Sequence, residues 1–145
     1  MTFEAHSTPE TNFYGTNDGG TSVMVTNQDL KTFDIKARFI LDGGCSTSKF
    51  TRPDFINGVY FSKAKVLAVF GNSRDAYDDM SGSPQFMENL GSGISIGEAY
   101  AKWFNETVVY NRGVPGTLSE CKNDAMLGNV MLGDGTLRIS RFMPH

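Results

Sequence analysis

The sequence predicts an α/β fold in which a mainly parallel sheet is flanked by helices. Two stretches, ARFILDG (37–43) and AKVLAVFGN (64–72), are apolar along nearly their whole length and lack the polar alternation of a half-exposed strand. Strands of this kind are buried on both faces, as in parallel sheets. Helical segments lie between and after these two strands, and that order is typical of α/β proteins.

Shorter elements are predicted before the first apolar strand. MTFEA (1–5) is predicted as a short strand, and the Gly- and Asn-rich stretch 6–21 as a polar loop. SVMV (22–25) is predicted as a second short strand. A helical turn follows it, with Thr26 or Asn27 as the N-cap residue.

Two helices are predicted from capping boxes, in which a Ser or Thr is followed three residues later by Glu. Ser95 and Glu98 form the first box, and Thr117 and Glu120 form the second. A further amphipathic stretch lies at 51–64, between the two apolar strands. After the first box, side chains at helical spacing form one apolar face, namely Ile96, Ala99, Tyr100, Trp103, Phe104 and Thr107.

Size and charge limit the classes of function. The 145 residues suit one domain, 1–145. The chain has 13 basic and 16 acidic residues without clustering of either sign, so neither nucleic acid nor a membrane surface is an expected partner. No apolar run approaches the roughly 20 residues of a membrane span. The first ten residues have no pattern of a secretory signal, so we expect a cytoplasmic protein if the chain is complete, and a secreted one if it is a fragment.

Cys45 is the candidate nucleophile because of its place in the predicted sheet. It follows the strand at 37–43, and ligands of α/β sheets bind beyond the carboxyl ends of the strands. Gly43 and Gly44 carry no side chains and permit close approach to the thiol, and Ser46 keeps its other side small. A cysteine at a strand end is nevertheless more often a small buried hydrophobe than a nucleophile.

His6 is the candidate partner of Cys45. It follows the strand at 1–5 in the same direction, so we expect it at the same edge of the same sheet. A thiolate with an imidazole in reach is the minimum needed for acyl transfer from a peptide bond. Cys121 lies in a predicted helix without neighbouring glycines, and we interpret it as structural.

Metal binding has little support in the sequence. The two cysteines and two histidines are far apart and have no spacing of a metal site. Asn17 and Asp18, in the stretch TNDGGTS (16–22), could supply oxygen ligands to Ca²⁺. This stretch lacks the spaced carboxylates and the terminal Glu of an EF-hand.

FEAHS (3–7) and FILDGGCST (39–47) resemble the two motifs of the caspase-like cysteine peptidase clan, in which apolar blocks end at the catalytic His and Cys. The chain is more specifically similar to the gingipain family over about positions 2 to 143, from the histidine strand onward. Four further motifs carry this similarity, and in chain order they are CSTSKF, AKVLAVFGNSR, FMENLGSGISIGEAYAKWF and NVMLGDGTLRI. The third motif is similar to the long helix of the family with its Gly-rich entry.

The resemblance implies a cysteine peptidase with a caspase-like fold. Cys45 would be the nucleophile, and His6 would protonate the leaving amine and then activate water. The backbone N–H groups of Ser7 and Cys45 would form the oxyanion hole. The family usually has glycine at the position of Ser7. Asp42 is expected to cap a turn rather than to act as a third catalytic group.

The resemblance also implies the partners. A peptide or protein substrate would contact Gly44 and the loop after the next strand, through Asn72, Ser73 and Tyr77. No metal or organic cofactor is implied.

The family domain has further strands before the histidine strand, so the strand at 1–5 is predicted to be an open sheet edge. Such an edge invites pairing, and we expect a homodimer that buries Phe3. The lack of those strands, together with Ser7, favours an alternative function, an inactive peptidase-like domain that serves as a binding or assembly module. The presence of His6 and Cys45 favours the enzyme.

Overall fold

The computed structural model describes residues 2–3, 6–14, 23–63, 65–75, 84–106 and 128–139. Within these ranges the chain forms a mixed α/β fold with two small sheets. The predicted helix that begins with Thr117 and Glu120 lies outside the described residues, as do Thr107, Tyr77, Cys121 and the stretch 16–22.

The larger sheet has four strands, in the order β1 (Thr2–Phe3), β5 (Phe39–Asp42), β6 (Ala68–Asn72) and β7 (Asn129–Gly133). The pairs β1–β5 and β5–β6 are parallel, and β7 runs antiparallel to β6. β1 is an edge strand within the described part of the chain. The homodimer expected from this edge stays a prediction.

The smaller sheet has three antiparallel strands, β2 (His6–Thr8), β3 (Thr11–Tyr14) and β4 (Val23–Thr26). The prediction of a polar loop at 6–21 is therefore wrong for β2 and β3. Their residues are mostly polar because this small sheet is largely half-buried or exposed, and such a hairpin needs no apolar run.

The place of His6 also differs from the prediction. β1 ends at Phe3, which pairs with Asp42 in β5. His6 is the first residue of β2 and pairs with Phe13 in the smaller sheet. His6 therefore belongs to the smaller sheet and does not end a strand of the larger one.

Helices α1 (Asn27–Thr32) and α2 (Ile56–Phe61) pack on one face of the larger sheet. The predicted cap of α1 is confirmed at Thr26, whose hydroxyl accepts a hydrogen bond from the Asp29 N–H. The Asp29 carboxylate in turn accepts one from the Thr26 N–H at 2.9 Å. The buried side chains of this layer are Leu30, Ile40, Ile56, Val59, Tyr60, Val66 and Val69.

Helices α3 (Pro84–Gly91) and α4 (Ile96–Phe104) cover the other face. The first capping box is confirmed, since Ser95 Oγ accepts from the Glu98 N–H and the Glu98 carboxylate accepts from the Ser95 N–H. The Gly-rich stretch before α4 is the predicted entry to this helix, and the chain turns there at Gly93, which has a φ of 84°. The separate helix α3 before this stretch was not predicted. The buried side chains of this layer are Leu41, Ala68, Phe70, Phe86, Leu90, Ile96, Ala99 and Trp103.

Successive residues of β5 and β6 point into opposite layers. Ile40 and Val69 pack under α1 and α2, whereas Leu41 and Phe70 pack under α3 and α4. Because both faces are covered, each position favours an apolar side chain, which explains the missing alternation. No described helix is long and apolar enough to cross a membrane.

We predict that Phe86→Ala lowers the free energy of unfolding by about 3–5 kcal/mol, because it empties a core position. Phe86 is 0% exposed and its ring lies 5.4 Å from that of Phe70 and 6.2 Å from that of Trp103, measured between centroids. The neighbouring Met87 is 47% exposed, so Met87→Ala is the matched control and should cost less than about 1 kcal/mol. Urea unfolding measures both, and equal losses would contradict this assignment of the core.

Candidate active site

Cys45 lies in a loop that leaves β5 and turns sharply. The residue is half-buried, and the next residue, Ser46, has a φ of 58°, a left-handed conformation that is uncommon for a residue with a side chain. The Ser46 N–H donates to the carbonyl of Arg74, and the Ser48 N–H donates to the carbonyl of Asn72, both at 2.8 Å. The Cys45 loop is thus fastened to the end of the parallel strand β6 and to the segment that follows it.

Asn72, predicted to contact substrate, lies under this loop. Its side chain is 2% exposed, and its Nδ2 donates to the carbonyls of Gly43 and Gly44 at 3.4 and 3.3 Å. These bonds satisfy carbonyl groups that the strand no longer pairs. Asn72 therefore supports the backbone on the amino side of Cys45.

Asn57 holds the other side of the loop, and sequence reasoning missed it. Its Nδ2 donates to the hydroxyls of Thr47 and Ser48 at 3.1 and 3.0 Å, and all three side chains are fully buried. The Thr47 hydroxyl donates to the Gly44 carbonyl at 3.3 Å. The only sequence signal for this role is one amide within the amphipathic stretch that became α2.

An open depression lies beside the loop. It has a volume of about 490 Å³. Ser73, another predicted substrate contact, lines it, and the Ser73 hydroxyl also donates to the Gly128 carbonyl at 2.9 Å. The other lining residues come from the Cys45 loop and from the segment after β6, and they are Ser46, Lys49, Phe50, Thr51, Arg74 and Asp75.

The hairpin of β2 and β3 packs against the Cys45 loop. A Cβ added to Gly44 would lie 2.6 Å from the Cβ of Ser7 and would collide with its hydroxyl as well. Gly44 was predicted to leave room for a close approach to Cys45. In the structure, the Ser7 side chain occupies the space beside Gly44. His6 is exposed in the same strand. Its side chain points to the opposite face from that of Ser7, because successive side chains of a strand alternate. The structure therefore brings together the chain neighbours of the two predicted catalytic residues.

Asp42 joins the same hairpin to the same loop. Its Oδ1 accepts the Gly44 N–H at 3.1 Å, which confirms the predicted turn cap. Its Oδ2 accepts a hydrogen bond from Asn12 Nδ2 at 3.2 Å. Asn12 is fully buried and pairs with Ser7 in the β2–β3 register. This contact was not predicted, because Asn12 lies in a stretch that we predicted as a loop.

Two tyrosines extend this buried polar cluster. Asn12 Nδ2 also donates to the Tyr14 hydroxyl at 3.2 Å, and the Tyr14 hydroxyl is hydrogen-bonded to that of Tyr60. Burial raises the pKa of both tyrosines above the ordinary value, and the negative charge of Asp42 adds to the increase. Both hydroxyls therefore stay protonated over the physiological range.

The described residues contain no group of three or more His, Cys, Asp or Glu side chains that could hold a metal ion. The candidate Ca²⁺ ligands Asn17 and Asp18 lie outside these residues. The stretch that carries them is therefore left as a sequence prediction.

Comparison with known proteins identifies a shared fold. No protein-family model matches the chain, and no curated protein matches it. The chain is similar to a solved structure described as "Structure of Protease", with a TM-score of 0.71 and 13% sequence identity. The similarity covers 99% of this chain and 36% of that chain. At this identity the likeness concerns the fold alone, so the chain has an α/β fold that a protease also has.

We predict that Gly44→Ala lowers the free energy of unfolding by roughly 1–3 kcal/mol, because the added methyl group overlaps Ser7. Gly91→Ala is the matched control, since a Cβ there meets no atom within 4 Å; it should change stability by less than about 0.5 kcal/mol. Thermal unfolding of both variants tests the contact. Equal stability of the two variants would show that the hairpin does not lie against the loop.

We predict that the folded protein loses stability as the pH rises above about 10, the ordinary tyrosine pKa. Above this pH the unfolded chain releases its tyrosine protons while the folded chain retains that of Tyr60, so each such group contributes a slope of up to about 1.4 kcal/mol per pH unit. Tyr60→Phe should make this slope shallower and leave the slope below pH 9 unchanged. Urea unfolding between pH 8 and 11 measures both, and identical alkaline slopes would contradict the burial of the hydroxyl.

Proposed function

We propose that the chain is a cysteine peptidase domain that hydrolyses peptide bonds, with Cys45 as nucleophile and His6 as general acid and base. The fold shared with a protease supports this proposal, as does the half-buried place of Cys45 just beyond β5. The observation that carries it is the place of Cys45, in a loop held by Asp42 and Asn72 beside an open depression. The packing of Ser7 on Gly44 brings the backbone of β2 to this loop, and the exposed His6 ring is proposed to turn from the other face of β2 toward the thiol.

Acylation begins when the Cys45 thiolate attacks the scissile carbonyl carbon, and the carbonyl π electrons move to the oxygen. The backbone N–H groups of Ser7 and Cys45 donate to this oxyanion, and one such donor is typically worth about 10²–10³ in rate. When the intermediate collapses, the C–N bond breaks and protonated His6 gives its proton to the leaving amine. The product is a thioester on Cys45.

Deacylation reverses the proton role of His6. The neutral imidazole accepts a proton from water as the water oxygen attacks the thioester carbon. The C–S bond then breaks, and the thiolate of Cys45 and a carboxylic acid are released. Neither step requires a metal ion or an organic cofactor.

The substrate side chain next to the scissile bond is proposed to enter the depression that Ser46 and Ser73 line. Lys49 and Arg74 supply two positive charges to its wall, and Asp75 supplies one negative charge. Acidic or neutral side chains are therefore favoured over basic ones. The backbone of Gly44 and the undescribed Tyr77 remain proposed substrate contacts.

A second candidate function is an inactive peptidase-like module that binds a partner protein. Ser7 favours it, because the family that the sequence resembles usually has glycine there. The Ser7 side chain fills the space beside Gly44, which a glycine would leave open. This module would retain the protease-like fold without cleaving peptides.

We predict that Cys45 is alkylated before Cys121 and that Cys45→Ala abolishes cleavage of a mixed peptide library. Thiol reactivity follows thiolate character and exposure, and a catalytic thiol is a thiolate at lower pH than an ordinary one. His6→Ala should lower kcat by about 10²–10⁴, the usual contribution of a general acid–base group. Mass-resolved labelling with limiting iodoacetamide and cleavage assays at pH 7 measure these effects.

Cys121→Ala is the matched control and should retain both the cleavage and the labelling of Cys45. First labelling of Cys121, or full cleavage by the Cys45→Ala variant, would show that the wrong cysteine has been chosen. Fast labelling of Cys45 without cleavage of any library peptide would favour the binding module.

A further inference from the structure

We infer that Asp42 is a positioning residue that fastens the hairpin bearing His6 to the loop bearing Cys45. This inference rests on the proposed function, since it assigns Asp42 a role in holding that pair together. Asp42 is 2% exposed and lies three residues before Cys45. Its two carboxylate oxygens are directed at two different parts of the chain.

One oxygen serves the nucleophile loop. Oδ1 accepts the Gly44 N–H at 3.1 Å, so it fixes the peptide group immediately before Cys45. Asn72 holds the carbonyls of Gly43 and Gly44 from the β6 side. The backbone that presents the thiol is therefore held by hydrogen bonds on both its N–H and its C=O groups.

The other oxygen serves the hairpin. Oδ2 accepts from Asn12 Nδ2 at 3.2 Å, and Asn12 lies opposite Ser7 in the register of β2 and β3. Asn12 Oδ1 has no hydrogen-bond partner among the described residues. The amide thus attaches the hairpin through Nδ2 alone, which it directs at Asp42 and at the hydroxyl of Tyr14.

The far end of the hairpin is attached elsewhere. The Pro9 carbonyl accepts the Ile56 N–H at 2.7 Å, and the Glu10 carbonyl accepts the Asn27 N–H at 2.8 Å. The turn between β2 and β3 is thus tied to α1 and α2. The Asp42–Asn12 bond adds an attachment opposite Ser7, in the middle of β2. We infer that there it determines how β2, the strand of His6, meets the Cys45 loop.

A turn cap alone would need only one acceptor oxygen, and an asparagine supplies one. The second oxygen serves the hairpin only, so Asn12→Ala should release the hairpin and preserve the turn. Asp42→Asn alone would not do so, because the Asn12 amide can rotate by 180° and offer its Oδ1 to the new side-chain N–H. A purely structural role would lower stability without changing how strongly Cys45 depends on His6.

The test is the rate of Cys45 alkylation by iodoacetamide at pH 7 in four proteins, namely wild type, His6→Ala, Asn12→Ala and the double variant. The thiolate is the reactive form, and a neighbouring imidazolium favours it. We expect His6→Ala to slow alkylation about tenfold in the wild-type background, and less than about twofold in the Asn12→Ala background.

Each outcome decides between the two proposals. If His6→Ala slows alkylation equally in both backgrounds, the pair stands and the positioning role of Asp42 is overturned. If His6→Ala changes nothing in the wild-type background, the Cys45–His6 pair fails and the role of Asp42 fails with it.

A second set of variants tests the contact itself by stability. Asn12→Asp places two carboxylates against each other in a buried site and should lower the melting temperature strongly. Adding Asp42→Asn restores a donor opposite an acceptor, so it should recover most of that loss and also restore the effect of His6→Ala on alkylation. Asn89→Asp is the matched control, a buried amide in α3, which Asp42→Asn should not rescue. Equal rescue of both variants, or of neither, would overturn the inference.

Discussion

The buried carboxylate of Asp42 must be matched by hydrogen-bond donors, because an unsatisfied buried charge costs several kcal/mol. The chain meets this demand with one donor from the Cys45 loop, the Gly44 N–H, and one from the hairpin, Asn12 Nδ2. Two segments that are far apart in sequence therefore meet at one side chain. The packing of Ser7 on Gly44 follows from the same meeting, and so does the proximity of the two predicted catalytic segments.

Buried side chains hold the loop that carries Cys45 by several hydrogen bonds. Asn57 donates to buried hydroxyl groups of the loop, and Asn72 donates to its backbone carbonyls. Asp42 accepts a hydrogen bond from the Gly44 N–H. Groups held this way lose little freedom when a substrate binds, which favours catalysis by fixed geometry. The depression beside the loop remains open. A cysteine loop held by these bonds beside an open, charged depression is the arrangement that the proposed peptidase function uses.

The elements that could be predicted from the sequence are those that depend on residues close together in the chain. β5 and β6 were predictable because both of their faces are covered, and α4 was predictable because Ser95 and Glu98 form a complete capping box. The hairpin of β2 and β3 could not be predicted in this way, since its burial depends on a contact between Asn12 and Asp42, which lie 30 positions apart. The position of Cys45 beyond its strand was predictable for the same local reason as β5. The amide supports of its loop were not, because a buried Asn has the same sequence signature as an exposed one.

The central claim is that His6 and Cys45 share one site, and disulfide crosslinking tests it most directly. The measurement uses His6→Cys in the Cys121→Ala background under mild oxidation, with Phe33→Cys, at an exposed position after α1, as the control. Two cysteines bridge only when their Cα atoms lie within about 7 Å, so we expect Cys45 to form an intramolecular disulfide in the His6→Cys variant and not in the Phe33→Cys variant. Equal disulfide formation in the two variants, or none in the His6→Cys variant, would contradict the shared site.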